Sequence, residues 1–103
     1  LPAPFIDDEH LRIACSGVAR VPITSPDPEA QVYFSLDGGE PSTNLLRGPF
    51  LALNTGFSKQ RVQEPDRIVN IRLKAVKEGV CSQTATFQVT LWKDISKFGG
   101  PEI

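Results

Sequence analysis

Apolar and polar positions alternate one for one along much of this chain, and no stretch keeps a helical period. Successive strand side chains point to opposite faces, so such alternation marks a half-buried strand. Leu11, Ile13 and Cys15 alternate with Arg12, Ala14 and Ser16, which predicts a short first strand. Val21 and Ile23 predict a second. Pro22 between them points to an edge position or a bulge, because proline has no ladder donor. In "QVYFSLDGGEP" (31–41), Val32, Phe34 and Leu36 oppose Gln31, Tyr33 and Ser35. Phe50 to Leu53 predicts a short strand introduced by Gly48-Pro49. Val69, Ile71, Leu73 and Ala75 then face one way while Asn70, Arg72, Lys74 and Val76 face the other, the clearest strand of the chain. Finally Ala85, Phe87, Val89 and Leu91 alternate with Thr84, Thr86, Gln88, Thr90 and Trp92.

Between these strands lie "SPDPEA" (25–30), "DGGEPS" (37–42), "RGP" (47–49) and "KEG" (77–79), all rich in turn formers. Six or seven short strands with turns between them predict an all-β fold, an antiparallel β-sandwich of the immunoglobulin or fibronectin-III kind. The polar stretch 54–67 has no period and is longer than one sandwich connection needs. It reads as an inserted, mobile loop, with Phe57 and Val62 as its candidate anchors. The expected domain is 1–93, and 94–103 reads as a linker or C-terminal tail.

A chain of 103 residues forms one domain with one core. Its net charge of -1, with Lys and Arg spread along the chain, points to neither nucleic acid nor an anionic membrane as partner. No apolar run approaches the roughly 20 residues of a membrane span. The chain lacks methionine altogether, which reads as a segment of a longer protein. Cys15 and Cys81 are too few for a disulfide-rich scaffold. Two readings stay open for them: one bridge closing a long loop, or two small hydrophobes in a reduced core. The second, with no Asn-x-Ser/Thr sequon present, leans toward a reducing compartment.

In "LDGGEPS", Asp37 can accept from the N–H groups that follow, Gly38 or Gly39 can supply a positive φ, and Pro41 holds Glu40 extended. A structural turn accounts for Asp37, Gly38, Gly39 and Pro41 together. A Ca²⁺ site using Asp37 and Glu40 is the weaker reading, since the spacing fits no calcium loop. "DDEH" (7–10) holds the sole histidine and the only acidic cluster, too few ligands for a metal centre. Ser16, Ser35, Ser42 and Ser82 have only His10 as a base, no Gly-x-Ser-x-Gly elbow exists, and Cys15 points inward. No catalytic residue, metal or cofactor is expected. Tyr33 and Trp92 point outward by strand phase, either as a stacking platform for sugar or as contacts to a neighbouring protein.

"ITSPDPEAQVYFSLDGGEPS", "GPFLAL" and "IRLKAVKEGVCSQTATFQVTL" together resemble the fibronectin-III-associated domain, a family similar to the C-terminal domain of chitobiase and β-hexosaminidase. Tyr33-Phe34 stands for the family's aromatic pair, the stretch from Ser35 to Pro41 for its Asp-Gly turn, and Leu73-Lys74-Ala75-Val76 for its penultimate strand. Gly39 departs from the family's usual Ser, and 54–67 is an insertion. The resemblance implies a β-sandwich with a structural Asp-Gly turn and no catalytic residue. The family occurs on secreted carbohydrate enzymes and in intracellular animal proteins, including those of cilia and centrosomes. The reading is therefore a non-catalytic interaction or scaffolding module of a larger, intracellular (cytoplasmic) protein, binding a protein partner. Its candidate contact residues are Tyr33, Arg72, Lys74, Trp92 and Phe57. The alternative is an accessory carbohydrate-binding module of a secreted hydrolase.

Overall fold

A computed structural model describes residues 1–58, 60–61 and 63–94. Among the described residues eight strands form: β1 (Arg12–Cys15), β2 (Val18–Pro22), β3 (Gln31–Ser35), β4 (Asn44–Leu45), β5 (Phe50–Asn54), β6 (Arg67–Lys77), β7 (Val80–Cys81) and β8 (Ala85–Lys93). A 3₁₀ turn, Asp8–His10, precedes β1. The larger sheet runs β1-β8-β6-β3-β4, with β7 paired to β6 off that path; the smaller is β2-β5. The two pack face to face as a sandwich-like all-β fold, as the alternation requires.

β6 is the spine of the large sheet. Its eleven residues pair antiparallel with β3 on one side and with β8 on the other. Ile71, Leu73 and Ala75 are fully buried on its inner face, and Val89 and Leu91 of β8 lie beside them. Val32 of β3 and Cys15 of β1 extend this face. The small sheet covers it with Ala19, Val21, Leu51 and Leu53, while Ile6 and Phe57 join the same cluster from outside the strands. Deleting a side chain such as Leu73 would cost about 2–5 kcal/mol in a core of this kind.

Several expectations change in detail. β1 runs parallel to β8, against an otherwise antiparallel pattern. Before it, Phe5 makes an isolated antiparallel bridge to Thr24, so the N-terminal segment touches the small sheet and then joins the large one. Leu36, expected inside with Val32 and Phe34, is 43% exposed because the strand ends at Ser35 and the turn begins. β4 and β7 were not foreseen; each is only two residues long and too short to show a period. Cys15 is buried as expected, but Cys81 is exposed on β7 and both are free thiols, so neither the bridge nor a second core cysteine is found.

β7 and β8 occupy one lane beside β6, yet their registers differ by one residue: Val76 opposes Cys81, whereas Leu73 opposes Ala85. Ser82 fills the offset, a β-bulge. Its N–H donates to the Ala75 carbonyl (2.8 Å), and its hydroxyl accepts from the Ala75 N–H (2.9 Å). The serine side chain supplies the acceptor that a regular ladder would have provided.

Candidate interaction surface

The outward residues of the large sheet form one continuous face, and strand register orders them into rows. Tyr33 sits beside Lys74, Ser35 beside Arg72 and Thr86, Ile68 beside Thr90 and Arg12, and Trp92 beside Ala14. Tyr33, Lys74, Arg72 and Trp92 thus share a face, as their phase predicted. They do not share a site. From Lys74, level with Tyr33, to Asp66, level with Trp92, is roughly 25 Å along β6. A stacking platform built from Tyr33 and Trp92 together is therefore ruled out by distance.

The end of the face near Tyr33 is polar and internally committed. Asp37 Oδ1 accepts from the Ser35 hydroxyl (2.7 Å) and the Gly39 N–H (2.9 Å), while Gly38 takes φ 85°. That is the Asx-type turn expected of "LDGG". The Ser35 hydroxyl first, then the Gly39 N–H, holds the Asp37 carboxyl below its ordinary value. Pro41 is fully buried behind the turn. Arg72 clamps it from the sheet, with its guanidinium donating to the Gly38 carbonyl (2.8 Å) and lying 3.8 Å from Glu40. Glu40 also accepts from the Thr84 hydroxyl at 2.7 Å. Its carboxyl is lowered chiefly by that bond, with Arg72 and Lys74 assisting against partial desolvation. Arg72, read from sequence as a contact residue, is engaged in holding this turn.

At the other end of the face, Trp92 is 40% exposed and Ile68 is 62% exposed. Ile68 opposes Thr90, so Trp92 is its diagonal neighbour on β8, with Ala14 directly across from Trp92 on β1. Diagonal positions on one face lie within reach of an aromatic side chain. The result is an apolar cluster at the end of an otherwise polar surface, flanked by Arg12. Ile68 was not singled out from sequence; its outward phase, one residue before Val69, is the signal that could have found it.

Beneath that end lies a buried polar network. Phe57, read as both a loop anchor and a contact residue, is only 8% exposed, so the anchor role is the one the packing supports. The Arg67 guanidinium lies 4.9 Å over its ring. The side chains of Lys93 and Glu64 are 2% and 6% exposed and pair at 3.4 Å; the Lys93 amino group also donates to the Ser58 carbonyl. Burial pushes the Glu64 carboxyl up, but the Ser58 N–H, Lys93 and Arg67 outweigh it and leave it below the ordinary value. Thr55 ties this network to the sheet junction: its hydroxyl donates to the Gly17 carbonyl at 2.6 Å, and its own carbonyl accepts from Arg67 at 3.1 Å. Both ends of the 54–67 stretch are thus fastened to the sandwich, while Val62, the other candidate anchor, lies outside the described residues.

Of the candidate nucleophiles, Cys15, Ser35 and Ser82 are buried, whereas Ser16 and Ser42 are exposed. Burial, then the Asp94 charge, pushes the Cys15 thiol up, away from the reactive thiolate. The Ser35 hydroxyl donates to Asp37, and that of Ser82 to the Gln83 carbonyl at 2.9 Å. Asp7, Glu9 and His10 do come together, with one ligand atom from each within 4.8 Å of the others. Asp7 and Glu9 are exposed and His10 is half-buried, and three donors are one short of a closed structural zinc site. No described helix is long and apolar enough to cross a membrane. Set against models of protein families, curated proteins and solved structures, the chain matches none of them.

Proposed function

We propose that this chain is a non-catalytic interaction module, an immunoglobulin or fibronectin-III-like sandwich that docks a protein partner through the Trp92 end of its large sheet. The exposure of Trp92 and Ile68 at diagonal positions on one sheet face carries this reading. Tryptophan is enriched at the centres of protein interfaces, and large apolar side chains side by side on an exposed sheet face need covering. Arg12 beside Thr90 supplies a polar rim. The immunoglobulin-like assignment is supported by an N-terminal segment that bridges Thr24, just past β2, at Phe5 and then runs parallel to β8. An exposed free thiol at Cys81 suits a reducing, intracellular setting.

The test is a quantitative pull-down with the immobilised chain, wild type beside a Trp92→Ala, Ile68→Thr double substitution that keeps strand propensity. A central Trp contributes about 2 kcal/mol or more, so a genuine partner should weaken about thirtyfold on the double variant. Circular dichroism should be unchanged, because both side chains lie outside the core. Partners retained equally by both proteins would sink this reading. Wild-type binding on a glycan array, lost on the double variant, would replace it with the carbohydrate-binding one.

A further inference from the structure

Among the described residues the β5 strand has an unpaired edge, and its chemistry fits a second copy of itself. Along the β2–β5 ladder, the Ile23 N–H donates to the Pro49 carbonyl (2.9 Å) and the Thr55 N–H to the Gly17 carbonyl (3.0 Å). These bonds keep the register of Val21↔Leu51 and Ala19↔Leu53. Antiparallel pairs alternate between bonded and non-bonded positions, so the bonds to β2 fall at Leu51 and Leu53. Phe50, Ala52 and Asn54 therefore aim their N–H and C=O groups away from β2, where no described strand meets them. Pro49 loses its donor on the β2 side, so the open edge keeps all of its own.

Other open edges carry the usual defences against pairing. On its far side β2 has Pro22, which lacks an N–H, and the charge of Arg20, and Phe5 already occupies Thr24. β1 has four residues and carries Arg12. β4 and β7 have two residues each. Among the described strands only β5, "FLALN", combines five residues, no charge and an open edge.

We propose that two copies of this chain pair antiparallel through β5, about a two-fold axis at Ala52. That register sets Ala52 opposite Ala52 and Phe50 opposite Asn54 twice over, forming about six backbone hydrogen bonds. The smallest side chain sits on the axis, where the strands meet themselves, and no like charges are brought together. Each copy contributes a two-stranded sheet, an arrangement marginal by itself; pairing turns the two into one four-stranded sheet. Because the same patch is used on both sides, the assembly closes at a dimer. An edge of five residues is a small interface, so the dimer is expected to dissociate on dilution.

Sedimentation velocity on the full chain from about 1 µM to about 1 mM tests this, since weak dimers populate across that range. The comparison adds Ala52→Pro, which deletes the axial donor, and Ala52→Lys, which sets two charges against each other on the axis. Wild type should shift from monomer to dimer with rising concentration, its Phe50, Ala52 and Asn54 amides exchanging more slowly as it does. Ala52→Lys should stay monomeric with a native circular dichroism spectrum, and so should Ala52→Pro where it folds. A wild type that stays monomeric throughout, a dimer that survives the lysine, or growth beyond a dimer would overturn the proposal.

Discussion

At Gly38 the chain turns with φ 85° between an aspartate that accepts two hydrogen bonds and a glutamate held by Arg72. A Cβ there would meet no neighbouring atom, so its cost is conformational rather than steric crowding from outside. Placing an L side chain in the left-handed region costs about 1–2 kcal/mol. Gly48 is the opposite case: it has no positive φ and open space around its Cβ position, and it precedes Pro49. Alanine there only restricts the unfolded chain, a gain of about 0.4–1 kcal/mol. Gly38→Ala should thus lower the urea midpoint and Gly48→Ala should raise it; equal effects of one sign would mean the turn is not under this constraint. This turn was legible from sequence because its chemistry is local, all within "SLDGGEP". The Lys93–Glu64 pair was not, although Lys93 continues the inward phase of Leu91. A buried ammonium depends on a carboxylate 29 positions away, and no period announces that partner.

Local chemistry and distant partnership divide the strands in the same way. β3, β6 and β8 announced themselves because each keeps one face in the core over five residues or more. β4 and β7 exist only by virtue of the strand they lie against, and the parallel placement of β1 is decided by β8, far along the chain. The "KEG" turn lies between these cases. It was expected, and it closes the β6–β7 hairpin with Glu78 at φ 52° and Gly79 at φ 80°. Two positive φ values in a two-residue loop are the hairpin-matching geometry, for which Asn-Gly is the favoured pair. Glu78 is therefore the strained member, and Glu78→Asn should stabilise by about 0.5–1 kcal/mol. A gain of that size raises the thermal midpoint by several degrees, at about 4–8 °C per kcal/mol for a domain near this size. A fall in the midpoint would show that the glutamate makes a contact worth more than its backbone strain.

Four carboxylates fasten loops to the large sheet or close its turns, and in all four the folded state holds the proton less tightly than the unfolded chain. Asp27, whose carboxyl is lowered by the Glu29 N–H and then by Lys77, ties the β2–β3 connection to the end of β6 through a 3.1 Å contact with Lys77. Glu40 and Asp37 hold the turn after β3, and Glu64 fastens the 54–67 stretch to Lys93 and Arg67. A depressed carboxylate stabilises the fold above its unfolded value, near 3.9 for Asp and 4.3 for Glu, and that contribution is lost as pH falls through the folded value. The alkaline side has the reverse sign. Bonds from Glu29 and Asp27 raise the Lys77 ammonium, so its contribution is complete below about 10.4 and fades as pH rises through the folded value. The Cys15 thiol, raised by burial, opposes ionisation in the fold, so stability declines from about 8.5 upward. The thermal midpoint should accordingly be flat through neutrality, fall below about pH 4 and fall again at alkaline pH. Asp27→Asn with Glu40→Gln removes two of the acid-titrating groups while keeping side chains of the same shape. That variant should be less stable than wild type at pH 7 and lose less on going from pH 5 to pH 2. An unchanged acid limb would place the proton uptake elsewhere and leave these loop ties without a measurable part in holding the molecule together.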